Sequence, residues 1–494
     1  MCGTRRLFFL SLIAVALLAV SLSARPLAQP GGQEKAKGNE PKPQGQKKEQ
    51  DDGPVAITER SRGELARPEP PKLEPGQIGV MGFPDINNKG EVAFWGRFIS
   101  PDSPQGVGRG IFVKSSAGLR LVVRDGDKAV NLDEPLTDFS NPTINENSEL
   151  VFIGTYGHLA PRNGGQTGGP TVAPGQQPQA AYYSEQGKSG IFIRDAKGLR
   201  LLAEMGQEVP RMPSHFSNLG NPSFNSKGML TFVGTYVDPD GRGLFYLDST
   251  QNPPKLSLLV RSGQPSVAEG RMVYSEHFYP SALNERGEVA FFVRLGDSGG
   301  IFVKREKGVE LVAQQGREAP VPEGRFIGFG NLAPSISNRG DVAFVGFFDG
   351  PNAGRGLFVK EADKEGPARL LVRTKDPVGD TGAEFSGFSS PAINARGEVA
   401  FIGFYGGRTR GIFVKTAKGV QIIARAEDPV PGTEKDVFNN FASVTINDQG
   451  QVVFYGQVKN TATIGLFIWD AEKGLRYLVK RGDRIADLKV AQNK

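Results

Sequence analysis

The sequence predicts an all-β protein: a seven-bladed β-propeller built from seven repeats of about 55–60 residues, preceded by a disordered N-terminal tether. Three observations predict this fold. A short pattern recurs seven times, apolar residues alternate within each copy, and no window carries an amphipathic helical period of useful length. The phenylalanine that ends a Gly-x-Val-Ala-Phe element marks the copies, at Phe94, Phe152, Phe232, Phe291, Phe344, Phe401 and Phe454. Their spacings are 58, 80, 59, 53, 57 and 53 residues, so the second copy carries an insertion.

Each copy reads as short strands joined by turns. In the sixth copy Val399 and Phe401 share one face of a strand, as expected for alternation with a period of two. The step from Asn394 to Gly397 predicts a hairpin turn, because Asn can bond its own backbone and Gly accepts a left-handed conformation. The same step recurs in the other copies, although the second has Ser148 in place of Gly and the fifth has Ser337 in place of Asn. We interpret these asparagines as turn formers; a polar ring is the alternative.

The order of the runs predicts the order of strands in a blade. We expect the Pro-x-Ile-Asn run to be innermost, followed by Val-Ala-Phe, then Gly-Ile-Phe-Val, with the Leu-x-Leu-Val run outermost. A β-solenoid is the alternative, but its repeats are usually shorter than about 30 residues. This order places the tight Asn-x-x-Gly hairpins on one face and the variable blade-to-blade crossovers on the other. We predict any binding surface on the crossover face, because function on such scaffolds concentrates in variable loops.

The repeats resemble bacterial exported tandem-repeat proteins that share an Asn-x-x-Gly-x-x-Ala-Phe motif, seen here from Asn87 to Phe94 and from Asn394 to Phe401. The resemblance covers roughly residues 76–485 and includes Gly126-Asp127, Gly263-Gln264 and Gly482-Asp483 in the crossovers, with Phe385, Phe388 and Pro391 before the next repeat. It implies an exported β-propeller of uncharacterised activity and supplies no catalytic residues. The tail IADLKVAQNK differs from many such proteins, because it has no hydrophobic sorting anchor.

The N-terminus predicts export. Residues 1–24 resemble a signal peptide, with Arg5 and Arg6 before an apolar core that begins at Leu7, so we expect a secreted or periplasmic protein. An uncleaved N-terminal anchor is the alternative, and export as a folded protein through a twin-arginine route is a second one. If cleavage occurs, the mature chain has no membrane span, and Cys2, the one cysteine, is lost with the signal.

Residues 25–76 are rich in Pro, Gln, Gly, Lys and Glu, a composition that predicts a disordered tether. The formal net charge of the chain is +6. Two of these charges are Arg5 and Arg6, the tether contributes one, and three remain for residues 77–494, which contain the predicted propeller of residues 77–490. No basic cluster is interleaved with aromatic residues, so nucleic-acid binding is excluded. We expect Val55–Thr58 or Ile485–Val490 to join the first and last blades.

The insertion in the second copy, residues 157–188, is the most distinctive loop. Phe152 and Gly190 are 38 residues apart, whereas the corresponding distance in the other copies is 9 to 16 residues. Its composition favours disorder, but a long loop can also carry function. Tyrosine and arginine stack on and hydrogen-bond to ligands such as sugars. The binding candidates of the loop are therefore His158, Arg162, Tyr182 and Tyr183.

Four arginines form a second candidate group. Each precedes the glycine that begins the Gly-Ile/Leu-Phe run, so the propeller would place all four on one rim. They could form a partial basic ring that attracts an anionic polymer, or they could be solvated residues at strand starts. These residues are Arg109, Arg242, Arg355 and Arg410.

No catalytic or metal constellation is evident in the sequence. His158, His215 and His277 lie in different repeats without metal-site spacing, and the fragment from Asp238 to Gly241 has too few oxygen ligands for a calcium loop. Asp127, Asp376, Asp428 and Asp483 occupy one repeated position, which is typical of a turn. The sequence therefore assigns no catalytic residue, and we predict no metal and no cofactor.

The resulting functional hypothesis is a non-catalytic binding module for a polysaccharide or an extracellular protein. An extracellular hydrolase or lyase, with acids or histidines meeting over the central channel, is the first alternative. A purely structural surface protein is the second.

Overall fold

The computed structural model describes residues 72–103, 106–157, 188–268, 273–275, 277–330, 332–407, 409–459, 463–486 and 488. All of them belong to the unit Glu69–Lys494. They form seven antiparallel sheets arranged as the blades of a propeller, and they contain no helix, so within them no helix could span a membrane. The predicted fold class is confirmed. The signal peptide and nearly all of the tether, including Val55–Thr58, lie outside the described residues.

The strands of the first four blades follow the chain without exchange between blades. Blade 1 contains β1 (Ile78–Met81), β2 (Asp85–Ile86), β3 (Val92–Ile99), β4 (Val107–Ser115) and β5 (Gly118–Arg124). Blade 2 contains β6 (Leu136–Phe139), β7 (Thr143–Ile144), β8 (Leu150–Tyr156), β9 (Lys188–Asp195) and β10 (Gly198–Glu204). Blade 3 contains β11 (His215–Leu219), β12 (Ser223–Phe224), β13 (Met229–Val237), β14 (Gly241–Asp248) and β15 (Lys255–Arg261). Blade 4 contains β16 (Ala282–Leu283), β17 (Val289–Leu295), β18 (Ser298–Arg305) and β19 (Gly308–Gln314).

The last three blades repeat this arrangement. Blade 5 contains β20 (Phe326–Gly328), β21 (Ser335–Ile336), β22 (Val342–Phe348), β23 (Gly354–Lys360) and β24 (Arg369–Arg373). Blade 6 contains β25 (Phe385–Phe388), β26 (Ala392–Ile393), β27 (Val399–Tyr405), β28 (Thr409–Thr416) and β29 (Gly419–Arg425). Blade 7 contains β30 (Phe438–Ile446), β31 (Val452–Val458), β32 (Ile464–Asp470) and β33 (Gly474–Lys480). The predicted strand order, from the Pro-x-Ile-Asn run outward, is therefore correct.

The innermost strand is usually split into two segments, a detail that the sequence did not predict. In blade 6 both β25 and β26 pair with β27, and Pro391 lies between the segments. Proline has no backbone N–H to donate, so it interrupts the ladder of hydrogen bonds. Blade 7 has Val444 at this position, and its innermost strand β30 is continuous. The residues from Phe385 to Phe388 therefore belong to the blade rather than to the crossover.

The core lies between neighbouring blades. Between blades 5 and 6, Val345 and Leu357 of one blade pack against Phe401 and Phe413 of the next. The two phenylalanine rings stack with centroids 5.5 Å apart, and Phe385 meets Phe413 edge-on at 5.0 Å. Stacked pairs of 5.4 to 5.9 Å occur at the equivalent place in all seven blades. The repeated phenylalanines are therefore the packing layer that holds blade to blade.

The ring closes through backbone hydrogen bonds that imitate the internal crossovers. Between blades 1 and 2, Gly126 N donates to Leu136 O at 2.8 Å and Leu136 N donates to Asp127 O at 2.9 Å. Between blades 7 and 1, Gly482 N donates to Ile78 O at 2.8 Å and Ile78 N donates to Asp483 O at 3.0 Å. Ile485 is buried against blade 1 and Ala486 N donates to Leu119 O at 2.8 Å, so the start of the segment predicted for closure joins the blades, and residues 487, 489 and 490 lie outside the described ranges.

Candidate functional site

The hairpin turns on one face bring polar side chains together around the axis. In blade 6, Asn394 Oδ1 accepts hydrogen bonds from Arg396 N at 3.0 Å and Glu398 N at 2.9 Å, which confirms its predicted role as a turn former. Its Nδ2 group meanwhile donates to Asn447 O of the next blade at 3.0 Å. The asparagine is buried, so the same side chain builds its own turn and joins it to the neighbour.

We call this blade-to-blade chain the asparagine ring. Nδ2 of each asparagine donates to the backbone oxygen of its counterpart in the next blade, at 2.9 to 3.2 Å. From the sequence, turn formation and a polar ring were alternatives. The structure has both, because the side-chain oxygen forms the turn and the side-chain nitrogen forms the ring. Ser337 in blade 5 has no amide, so the ring has one gap, between blades 5 and 6. The ring consists of Asn87, Asn145, Asn225, Asn284, Ser337, Asn394 and Asn447.

The residue after each asparagine forms a second circle, which we call the axial ring. Its members are Asn88, Glu146, Ser226, Glu285, Asn338, Ala395 and Asp448. Asn88 N donates to Glu146 Oε2 at 2.9 Å, and Ser226 N donates to Glu285 Oε1 at 3.0 Å. Asp448 accepts from three other blades: Asn88 Nδ2 and Asn338 Nδ2 at 3.0 Å, and Ala395 N at 2.7 Å. A carboxylate that reaches three other blades shows how closely the turns converge.

Three carboxylates of the axial ring therefore share one small region. Burial raises the pKa of Glu146, and the nearby charges of Glu285 and Asp448 raise it further. Asp85 lies two residues before Asn87, in the innermost strand of blade 1. Its Oδ2 accepts a hydrogen bond from Ile144 N of blade 2 at 3.0 Å. Burial raises the pKa of Asp85 to about 6, with a smaller contribution from the charge of Glu146. These acids converge from hairpin turns and an inner strand, not from crossovers.

The crossover face is less uniform. One position of the innermost strand, near its crossover end, differs in size and charge from blade to blade. In blades 1 to 7 it is Val80, Asp138, Asn218, His277, Gly328, Gly387 and Asn440. His277 and His215 are both exposed on this side, in blades 4 and 3. Within the described ranges, no group of three or more His, Cys, Asp or Glu side chains is arranged to hold a metal ion.

The four candidate arginines occupy one position at the start of the third strand, as predicted, but their surroundings differ. Arg109 Nη1 lies 3.3 Å from Asp138 Oδ2 of the next blade, so its charge is compensated. The guanidinium of Arg355 lies 4.9 Å from the ring centroid of Phe347, and that of Arg410 lies 5.1 Å from the centroid of Phe404. Arg242 lies in β14, opposite Thr235.

Two further groups of residues were singled out in the sequence: the candidates of the insertion loop and the repeated acid after the outer strand. His158, Arg162, Tyr182 and Tyr183 lie outside the described residues, so their role stays a prediction. The repeated acid after the outer strand is a turn residue: Asp428 Oδ2 accepts from Arg425 N at 2.8 Å, and Asp127 Oδ2 accepts from Arg124 N at 2.8 Å.

The sequence analysis did not identify the axial ring on the hairpin face or Phe347 and Phe404 on the crossover face. The axial ring could have been found by aligning the position after each asparagine, where three of the seven copies carry an acid. Phe347 and Phe404 gave no such signal, because a phenylalanine in a strand is ordinarily a core residue.

The sequence belongs to a family of unknown function, DUF7453, whose model matches residues 40–160 and 175–492. A search of curated proteins found no match. Among solved structures, a puromycin hydrolase is 10% identical with a TM-score of 0.47, over 84% of this chain and 55% of that one. A periplasmic gluconolactonase from Pseudomonas aeruginosa is 15% identical with a TM-score of 0.34, over 76% and 92%. A prolyl oligopeptidase B from Galerina marginata is 8% identical with a TM-score of 0.43, over 83% and 52%.

The chain thus spans about half the length of the puromycin hydrolase and of the oligopeptidase. At these identities the likeness concerns the propeller fold alone.

Proposed function

We propose that this chain is an exported, non-catalytic β-propeller that binds a polysaccharide through its crossover face. One observation supports this proposal above the others: the asparagine of the hairpin turn recurs in six of the seven copies and is engaged in bonds between blades, whereas the innermost-strand position at the crossover mouth differs from blade to blade. The side chains there include exposed Asn218, Ser386 and Asn439, whose amide and hydroxyl groups suit sugar hydroxyls. We further propose kinship with the exported Asn-x-x-Gly-x-x-Ala-Phe repeat proteins, which the N-terminal sequence pattern supports.

The acids near the axis favour a structural role over catalysis. Glu146, Glu285 and Asp448 each accept a backbone hydrogen bond from a neighbouring blade. A carboxylate bound in this way helps to hold the ring, and moving a proton on it would disturb a junction between blades. The described acids therefore serve best as connectors.

A polysaccharide array tests the proposal. The full chain is applied beside a variant in which residues 157–188 are replaced by a short turn. Binding by both proteins would support a site on the shared blades. Binding by the full chain alone would assign the site to the loop that contains Tyr182 and Tyr183. An absence of binding by either protein would overturn the polysaccharide proposal and leave an extracellular protein as the partner to test.

A hydrolase or lyase over the channel is the second candidate, and one observation favours it. Asp85 has a pKa raised to about 6 beside the carboxylate of Glu146, and acids perturbed in this way are common in active sites. Incubation of the polymers with the full chain, followed by a reducing-end assay, distinguishes the two functions. Chain cleavage that Asp85→Asn abolishes would establish the enzyme, whereas binding without cleavage would support the binding module.

A further inference from the structure

Blades 5 and 6 carry an alternating run of arginine and phenylalanine side chains on the crossover face. Arg355 lies over Phe347 in blade 5, and Arg410 lies over Phe404 in blade 6. Gly387 joins the two pairs: a Cβ atom built on it would lie 3.2 Å from Arg355 Nη1 and 3.5 Å from Phe404 Cδ2. The absence of a side chain at Gly387 therefore lets the Arg355 guanidinium lie close to the backbone of blade 6, beside the Phe404 ring.

A carboxylate compensates the charge of Arg109, but none compensates the charges of Arg355 and Arg410 in this way. In blade 2 the position next to Arg109 is Asp138, which forms an ion pair with it. The equivalent positions next to Arg355 and Arg410 are Gly387 and Asn440. Across the described ranges, neither Arg355 nor Arg410 has a carboxylate oxygen within 4.0 Å. Blades 6 and 7 thus have glycine and asparagine at the position where blade 2 has a carboxylate.

The aromatic rings prepare these arginines to bind an anion. A guanidinium stacked on a ring is held in one orientation while its N–H groups stay available. Arg355 is exposed and Arg410 is half-buried. Partial burial lowers the pKa of Arg410, which shows that its charge is poorly solvated. An anion that presents two oxygens to accept paired hydrogen bonds is the natural partner of such a group.

From this arrangement we infer that Arg355 and Arg410, held on Phe347 and Phe404, bind the acidic groups of a polysaccharide. The inference rests on the proposed function and specifies the class of polymer, one with carboxylate or sulfate groups. Two cations in adjacent blades suit a chain that carries charges at regular intervals. The neighbouring Ser386, Asn439 and Asn440 offer neutral hydrogen-bonding groups for hydroxyls. This combination favours an acidic polysaccharide over an acidic peptide.

The test measures binding of the full chain to polygalacturonate, dextran sulfate, neutral dextran and polyglutamate at low and physiological salt. We expect binding to one or both acidic polysaccharides that weakens with salt, and at least tenfold weaker binding to dextran and polyglutamate. The variant R355Q/R410Q should lose at least tenfold in affinity. K89Q/K227Q is the matched control, because it removes two exposed positive charges from hairpin turns on the opposite face, and its affinity should stay within twofold of wild type.

A second variant guards against a folding artefact. Gly387→Asp places beside Arg355 the carboxylate that blade 2 has at Asp138, and it should weaken binding tenfold without removing either arginine. Its thermal unfolding curve reports whether the propeller is intact. Equal binding by R355Q/R410Q and wild type would overturn the inference, as would equal affinity for dextran or preference for polyglutamate. Binding to dextran alone would leave the proposed function standing, whereas binding to no polysaccharide would overturn both.

Discussion

Asn447 donates a hydrogen bond from Nδ2 to the backbone oxygen of Asn87, 3.0 Å away, although 360 residues separate the two in the sequence. This bond closes the asparagine ring between the last blade and the first. Asn447 Nδ2 also donates to Gln451 Oε1 at 2.8 Å, and its Oδ1 accepts from Gln451 N at 2.9 Å. One buried side chain thus holds a turn and a blade junction together.

Asn447→Ala should lower the free energy of unfolding by about 2–3 kcal/mol, because it leaves buried polar groups of both blades without partners. Urea denaturation followed by the fluorescence of Trp95 and Trp469 measures the change. Asn352→Ala, an exposed loop substitution, is the control and should stay within about 0.5 kcal/mol of wild type. An equal effect of both substitutions would contradict a role for the ring.

Ser337→Asn should fill the gap in the asparagine ring and raise the free energy of unfolding by about 0.5–1.5 kcal/mol. Asp341 is shorter than the Glu that four other copies have at this position, and Ser337 already accepts turn bonds from Arg339 N and Asp341 N, as the ring asparagines do. The same denaturation experiment measures the gain, and the double variant S337N/D341E copies the pair found in blade 6. A loss of stability in both variants would show that the gap is required.

Asp85→Asn should stabilise the protein at pH 8 by up to about 3 kcal/mol. The folded pKa of about 6 lies above the ordinary value of 3.8, so the folded protein binds more protons between these values. The free energy of unfolding of wild type therefore falls as the pH rises from about 4 to about 6 and stays lower above that range. Asparagine keeps an oxygen to accept the bond from Ile144 N.

Unfolding curves at pH 4 and pH 8 check this prediction. The advantage of the asparagine variant should fall to about 0.5 kcal/mol at pH 4, where the folded carboxyl is protonated and the unfolded one, with the ordinary value of 3.8, is partly protonated. Thr143→Val, at the equivalent position of blade 2, contains no titrating group and should change stability equally at both values. A variant advantage that does not depend on pH would refute the electrostatic explanation.

Gly411→Ala should cost about 1–3 kcal/mol, because its Cβ would lie 2.9 Å from Phe413 Cε2 and 3.0 Å from Ala424 O. Glycine recurs at the start of the third strand in every copy for this reason: the outer strand, or the phenylalanine two residues further along the same strand, lies too close for a side chain. Gly328→Ala is the matched control, since its nearest contact would be 3.9 Å. Thermal unfolding compares the two, and equal melting temperatures would contradict the steric explanation.

Removal of residues 482–494 should lower the free energy of unfolding by at least about 4 kcal/mol, since it exposes the face of blade 1 that Ile485 covers and breaks the backbone bonds to Ile78 and Gly76. A shorter deletion of residues 489–494 keeps these contacts and should have little effect. Calorimetry of both truncated chains measures the difference. Similar losses in both would place the stabilising contacts beyond Leu488.

The blades could be predicted because their determinants are local and repeated seven times. Alternation between Val399 and Phe401 assigns faces, and glycine at Gly397 assigns a turn, without knowledge of any neighbour. Junctions between blades depend on where a side chain points across the ring. Nothing near Asn394 in the sequence indicates that its Nδ2 contacts Asn447, and nothing near Arg355 indicates that Gly387 lies beside it.

The junction that closes the ring has a consequence for how the chain can be connected. Each blade comes from one continuous copy, and the hydrogen bonds of Gly482 and Asp483 to Ile78 repeat those that every internal junction makes. The fold therefore has no structural first blade. Circular permutants should therefore assemble the same propeller, if a short linker joins the present ends and new termini are cut into any crossover. One copy of the repeat is the natural unit by which such a ring gains or loses a blade.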